Sequence, residues 1–167
     1  MNPMKIALIG YGKMGKTIET VAGQRGHTIV AHLNRSNPEA WNSQAIQAAD
    51  IAIEFTGPES APFNLQQCFE RSLPVVCGST GWLSEYERIT SLCNEKNGSL
   101  LYASNFSIGV NIFFALNKQL AKWMSTQASY EPLLEEIHHT QKKDAPSGTA
   151  ITLAEQIIQH QGIKKNW

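Results

Sequence analysis

Through the first two-thirds of the chain, apolar residues come in short continuous runs that end in glycine, asparagine or other turn-forming residues. Lys5–Gly10 (KIALIG), His27–Asn34 (HTIVAHLN), Asp50–Gly57 (DIAIEFTG), Leu73–Gly81 (LPVVCGSTG) and Ser99–Phe106 (SLLYASNF) read as five strands. The stretches between them space their apolar residues as helices do. KMGKTIETVAGQRG ends on a glycine stop, and NPEAWNSQAIQAA offers Asn37 as N-cap and Pro38 at the first helical position. APFNLQQCFERS follows, then SEYERITSLCNEKNG with Ser84 in N-cap position. Strands alternating with helices predict right-handed βαβ crossovers and a buried parallel sheet.

The pattern changes after Phe106. SIGVNIFFALNKQLAKWMST predicts one long helix, apolar at Val110, Phe113, Phe114, Leu116, Leu120 and Trp123. After a break at QAS, YEPLLEEIHH reads as a strand, and TAITLAEQIIQHQG as a final helix. One strand and one helix cannot close a core of their own. The expected organisation is therefore an α/β dinucleotide-binding domain over residues 1–106, then a substrate-binding and catalytic α+β domain over 107–167 that is cut short.

Composition narrows the function. The 167 residues carry no formal net charge, which argues against broad electrostatic attraction to nucleic acid or acidic lipid. No apolar run approaches the ~20 residues that span a bilayer. The opening MNPMKIALIGYGKMG has the form of a buried strand, not of a signal peptide. Cys68, Cys77 and Cys93 show no metal-like spacing and read as reduced thiols of a cytoplasmic protein.

Gly10-Tyr11-Gly12-Lys13-Met14-Gly15 is a GxGxxG that follows the first strand and opens the first helix. Glycines there let the backbone approach a pyrophosphate, and the helix N-terminus offers free N–H groups to it. The context is that of a Rossmann-type nucleotide site, with Gly10, Gly12, Lys13, Met14 and Gly15 as cofactor contacts. At the end of the second strand a strictly NAD-binding site expects a carboxylate for the ribose hydroxyl. Asn34 and Arg35 stand there instead. The arginine suits a 2′-phosphate and the asparagine a ribose hydroxyl, so NADPH and NADH both remain open. Thr56 and Gly57, then Gly78, Ser79, Thr80 and Gly81, then Ala103, Ser104, Asn105 and Phe106, end later strands at the edge where such sheets bind ligands.

The densest polar chemistry is EEIHHTQKKDAPSGTAITLAEQ, Glu135 to Gln156. His138 and His139 are adjacent, so on a strand they point to opposite faces, and no paired Cys/His spacing predicts a metal. A turn between His138 and Lys142 would bring two cations to one pocket, where crowding tunes an imidazole toward proton transfer. Ser147, Gly148 and Thr149 lie at a helix start, whose free N–H groups suit a carboxylate. The site would take a small polycarboxylate beside a proton donor. The plain alternative is that Ser147 is an ordinary N-cap in a solvated loop.

EIHHTQKKDAPSGTA closely resembles the signature of the dihydrodipicolinate reductase (4-hydroxy-tetrahydrodipicolinate reductase) family, E-x-H-H-x-x-K-x-D-x-P-S-G-T-A, and matches every fixed position. CGSTG, ASNFSIGVN and IGYGKMG are similar to the family's strand end, its entry to the second domain and its nucleotide loop. The resemblance implies NAD(P)H-dependent reduction of a dihydrodipicolinate-type substrate to tetrahydrodipicolinate, in diaminopimelate and lysine biosynthesis. It implies His138 as proton donor or acceptor, Lys142 as proton donor near the ring and His139 as a substrate contact. Gly148 and Thr149 would hold a substrate carboxylate. It also implies a homotetramer assembled through the second domain's sheet. Family members run substantially longer and often carry Glu at the position of Asn34. Two other readings stay open: a related dehydrogenase acting on an amino or oxo dicarboxylate, and a nucleotide-binding fragment without activity.

Overall fold

The structure is a computed structural model and describes residues 2–34, 36–138, 140 and 145–161. The chain divides into two compact units, Met1–Ala103 and Ser104–Trp167, each described by itself below.

In the first unit, β1 (Lys5–Ile9), β2 (Thr28–Leu33), β3 (Ile51–Glu54), β4 (Val75–Cys77) and β5 (Leu100–Tyr102) form one parallel sheet of order β2-β1-β3-β4-β5. The order reverses at β1, and that reversal opens a crevice beyond the carboxyl ends of the central strands. Strand alternation sorts the core into two faces. Ala7 and Ile9 of β1 pack with Leu33, Trp41, Leu65, Phe69, Trp82 and Ile89. These come largely from α3 (Ala61–Glu70), α4 (Tyr86–Glu95) and the loops that lead into helices. Ile6 and Leu8 turn the other way and pack with Ile18 and Ala22 of α1 (Lys13–Gln24). Helices thus cover both faces, which explains why the strands are apolar runs rather than alternating ones.

Two helix starts differ from the sequence expectation. The stretch after Asn37 is a 3₁₀ turn, Pro38–Asn42, followed by the short α2, Gln44–Gln47. Asn37 does not cap it: its side chain accepts from Asn34 N–H at 2.8 Å and donates to the His32 carbonyl at 2.9 Å. Ser43 interrupts the helix instead and caps α2, its hydroxyl accepting from Ile46 N–H. Serine competes with helical backbone through such local bonds. Ser84 lies inside a second 3₁₀ turn, Leu83–Glu85, and α4 begins at Tyr86 without a side-chain cap.

The second unit is built on α5 (Ile108–Met124), capped by Ser107, and α6 (Gly148–Gln161). The helices pack through small or polar side chains. Ala121, Ala150 and Leu153 are buried, and Asn117 donates to the Leu153 carbonyl at 3.1 Å and to Gln156 at 3.0 Å. Residues 113, 116, 120 and 123 form a neighbouring stripe of α5 that stays exposed. Of the strand expected over YEPLLEEIHH, the described residues 130–138 form none, and no ladder partner lies among the described residues. Leu133 is 93% and Ile137 87% exposed.

Candidate active site

At the nucleotide loop each glycine of the motif has its own reason. Gly10 has φ +94°, and a Cβ there would overlap the Phe55 carbonyl oxygen. A Cβ on Gly15 would overlap the Gly10 carbonyl, so this residue lets α1 seat closely on the loop. A Cβ on Gly12 would meet nothing within 4 Å. Gly12 faces open space at the N-cap of α1, the place where an incoming anion needs the backbone bare. The first turn of α1 contains no acidic residue and instead carries Lys13 and Lys16. Cations there oppose the helix dipole unless an anion sits between them. The loop therefore fits a dinucleotide pyrophosphate.

The ends of β3 and β4 are tied into one buried network. Glu54 is fully buried. Its Oε1 accepts from the Thr56 hydroxyl, from Thr56 N–H at 3.1 Å and from Asn64 Nδ2 at 3.3 Å. Its Oε2 accepts from the Cys77 thiol at 3.1 Å. Ser79 Oγ also accepts from Thr56 N–H, at 2.8 Å, and the Ser79 carbonyl accepts from Trp82 Nε1 at 2.7 Å. Burial, then the neighbouring Glu54, push the Cys77 thiol up, and burial lifts Cys68 to about 12, so neither is a nucleophile. A Cβ on Gly78 would overlap the Phe55 ring. A cavity of about 340 Å³ opens at this edge, lined among others by Ile9, Leu33, Asn34, Thr56 and Phe63.

In the second unit Glu136, His138 and Ser147, described residues of the histidine stretch, meet at the start of α6. Ser147 Oγ accepts from Ala150 N–H at 3.0 Å, so Ser147 is the N-cap. Glu136 Oε1 accepts from Ser147 N–H at 2.8 Å, and its Oε2 lies 2.8 Å from His138 Nε2. His138, Ser147 and Thr149 share a cavity of about 750 Å³, walled on its apolar side by Phe113, Leu120 and Leu153. Gly148 opens α6 but is not among the lining residues.

The sequence profile of dihydrodipicolinate reductase, N-terminus, matches residues 4–106, and that of its C-terminus residues 109–166. The chain belongs to the dihydrodipicolinate reductase family. A 4-hydroxy-tetrahydrodipicolinate reductase of Christiangramia forsetii is 46% identical over 164 residues, covering 98% of this chain and 68% of the relative. One of Bdellovibrio bacteriovorus is 39% identical over 160 residues, covering 94% and 66%. The chain thus spans about two-thirds of the length of these relatives. Dipicolinate-bound dihydrodipicolinate reductase from Paenisporosarcina sp. TG-14 is 25% identical, with a TM-score of 0.67 over 99% of this chain and 69% of that one. An oxidoreductase from Agrobacterium radiobacter, solved with NAD+, L-tartaric acid and magnesium, is 17% identical with a TM-score of 0.50 over 78% of this chain and 42% of that one. That second likeness is one of fold.

Within this reductase fold the sequence-derived residues fare unequally. Gly10, Gly12, Lys13, Met14 and Gly15 form one loop and helix start, while Thr56, Gly78 and Ser79 meet at the adjoining strand ends. Thr80 follows as an exposed residue, and Ala103 N–H donates to the Cys77 carbonyl at 3.3 Å. Asn34 is engaged by its own turn, with Oδ1 accepting from Ser36 N–H at 2.8 Å. Ser104, Asn105 and Phe106 belong to the second unit, where Asn105 Oδ1 accepts from Ser107 N–H at 2.8 Å. Arg35, His139 and Lys142 lie outside the described residues. Sequence reasoning missed Glu54, and it had Glu136 only as the first fixed position of the family signature, with no role. A lone carboxylate ending an apolar strand carries no pattern, so Glu54 gave no signal. Glu136 did, because residues i and i+2 of an extended segment share a face and Glu136 is two before His138.

Proposed function

We propose that the chain carries the NAD(P)H-dependent reduction of 4-hydroxy-tetrahydrodipicolinate, through its dihydrodipicolinate form, to tetrahydrodipicolinate, the reaction of diaminopimelate and lysine biosynthesis named by its relatives. The observation that carries this reading is the single cavity in which the His138 imidazole, the Ser147 cap and Thr149 meet. A heterocyclic dicarboxylate needs an anion cradle and a proton source side by side, and the meeting of these residues in one cavity supports the reading. The nicotinamide cofactor, when bound, supplies the hydride. Gly10, Gly12 and Gly15 with Lys13 and Met14 hold its pyrophosphate. Asn34 and Arg35 contact the ribose, and Thr56, Gly78, Ser79, Thr80, Ala103, Ser104, Asn105 and Phe106 the nicotinamide half. Gly148 and Thr149 bind a substrate carboxylate through the N-terminus of α6, with Ser147 fixing the turn. His138 and Lys142 move the proton that accompanies the hydride, and His139 contacts the substrate. The domains take these roles as residues 1–106 and 107–167. The exposed apolar residues of α5 and of 130–137 support the homotetramer.

The test is oxidation of NADPH or NADH dependent on freshly made synthase product. The wild-type chain turns over, and His138→Ala lowers kcat at least ~100-fold while cofactor affinity stays within about two-fold. A His138→Ala variant with the parent rate refutes the proton role. Activity on oxaloacetate or aspartate but none on the dipicolinate-type substrate refutes the reaction. Sedimentation velocity reads the assembly, and a monomer at micromolar concentration refutes the tetramer.

A further inference from the structure

We propose that Glu136 is a positioning residue of this site: its carboxylate holds His138 through Nε2 and the opening amide of α6 through Ser147, leaving Nδ1 as the imidazole nitrogen that exchanges a proton with substrate. The inference rests on the assignment of His138 above.

Four observations carry it. Glu136 and His138 lie two apart in the sequence, and their side chains meet on one side of the chain. The two oxygens of Glu136 have two different partners, His138 Nε2 at 2.8 Å and Ser147 N–H at 2.8 Å, so the carboxylate cannot rotate without losing one of them. Glu136, His138, Ser147 and Thr149 all line the same cavity. The side chain of Glu136 is only 24% exposed, against 40% for His138, so the carboxylate backs the ring while the ring reaches further into solvent.

The chemistry follows from the geometry. A carboxylate accepts and does not donate, so the ring nitrogen facing it carries the hydrogen. The neutral imidazole then has Nδ1 bare, and the imidazolium carries its transferable proton on Nδ1. The Ser147 hydroxyl, the His138 ring and Ser147 N–H together hold the Glu136 carboxyl down at about 2, so it is charged wherever the enzyme works. A lone anion at the α6 N-terminus would repel a dicarboxylate. When the ring carries its second proton the pair is neutral, and the helix end keeps its pull on the substrate. One side chain thus sets the tautomer of the ring and ties it to the cradle.

The experiment compares Glu136→Gln, Glu136→Asp, His138→Ala and the Glu136→Gln/His138→Ala double variant, in the full chain. Glutamine offers one acceptor and one donor in place of two acceptors, so it cannot serve both Ser147 N–H and a protonated Nε2. Nitrogen-15 spectra of histidine-labelled protein read the tautomer without turnover. The parent shows His138 with hydrogen on Nε2, Glu136→Gln moves it to Nδ1, and Glu136→Asp keeps the parent form. Kinetics read the consequence. Glu136→Gln loses about 10- to 100-fold in kcat, as expected for a charge-assisted hydrogen bond, with KM changed less than about three-fold. Glu136→Asp recovers part of the loss, and the double variant is no slower than His138→Ala alone. A parent-like tautomer and kcat in Glu136→Gln overturn the proposal. If Glu136→Gln does not fold, a Glu136→Asp spectrum with hydrogen on Nδ1 overturns it equally. Parent-like kcat in His138→Ala overturns the reading of His138 itself, and the tautomer spectra still decide whether Glu136 holds the ring.

Discussion

Two carboxylates do different work in this chain, and their partners decide which. Glu54 sits among donors only: Thr56 N–H and hydroxyl, Asn64 Nδ2 and the Cys77 thiol. Glu54→Ala removes the acceptor that the Thr56 hydroxyl, Asn64 Nδ2 and the Cys77 thiol share and opens a void, which costs about 3 kcal/mol in a urea titration. Glu136 is part-exposed and bridges a ring and a helix start. Its folded-state value of about 2 lies below the ordinary 4.5, so its contribution is complete above pH 4.5 and is lost as the pH falls through 2. A carbon-13 titration of the Glu136 carboxyl therefore shows a midpoint near 2, and a midpoint near 4.5 means that the bridge is absent in solution. Glu54 escapes a linear reading because Asn64 and Cys77 lie 10 and 23 residues away, and so does the Ser147 half of the Glu136 bridge, whereas its His138 half lies two residues away. The glycines of the loop were legible because steric demand at Gly10 and Gly15 is local to the turn and its helix.

At the level of elements, continuous apolar runs marked all five strands, since burial on both faces leaves no polar alternation to confuse. Helix starts were less legible. A cap is chosen by which side chain reaches a free amide, and Ser43 outcompetes Asn37 because Asn37 is already held by Asn34 and His32. The apolar periodicity of residues 130–138 is genuine, but a strand is a relation between two segments, and no second one is present among the described residues. The cap that matters most to function is Ser147. Ser147→Ala removes the hydroxyl that receives Ala150 N–H and weakens the chain by about 1 kcal/mol, measured by urea denaturation. The backbone bond from Ser147 to Glu136 survives that change, so His138 keeps its tautomer in the variant.

For the whole molecule the two units differ in how far they bury what they carry. The first encloses two apolar clusters against a five-stranded sheet, whereas in the second Ala121, Ser147, Ala150 and Leu153 are the buried residues among those described. Amide exchange should therefore be slowest in β1, β3 and β4 and much faster in α5 and α6, read peptide by peptide by mass spectrometry. Uniform protection across both units would show that the second is stabilised by contacts beyond those described here. The same contrast has an optical side. Trp82 is buried, with its indole N–H given to the Ser79 carbonyl, and Ser79 in turn receives Thr56 N–H at the strand ends proposed for the nicotinamide half. Trp123, on α5, is 66% exposed. Emission from Trp82 and Trp123, two of the four indoles, should differ in colour and in access to a quencher. A Trp123→Phe/Trp167→Phe chain keeps only Trp41 and Trp82, both of the nucleotide-binding unit, and quenching of their light on titration with NADPH would report cofactor arrival through fluorophores the protein already owns.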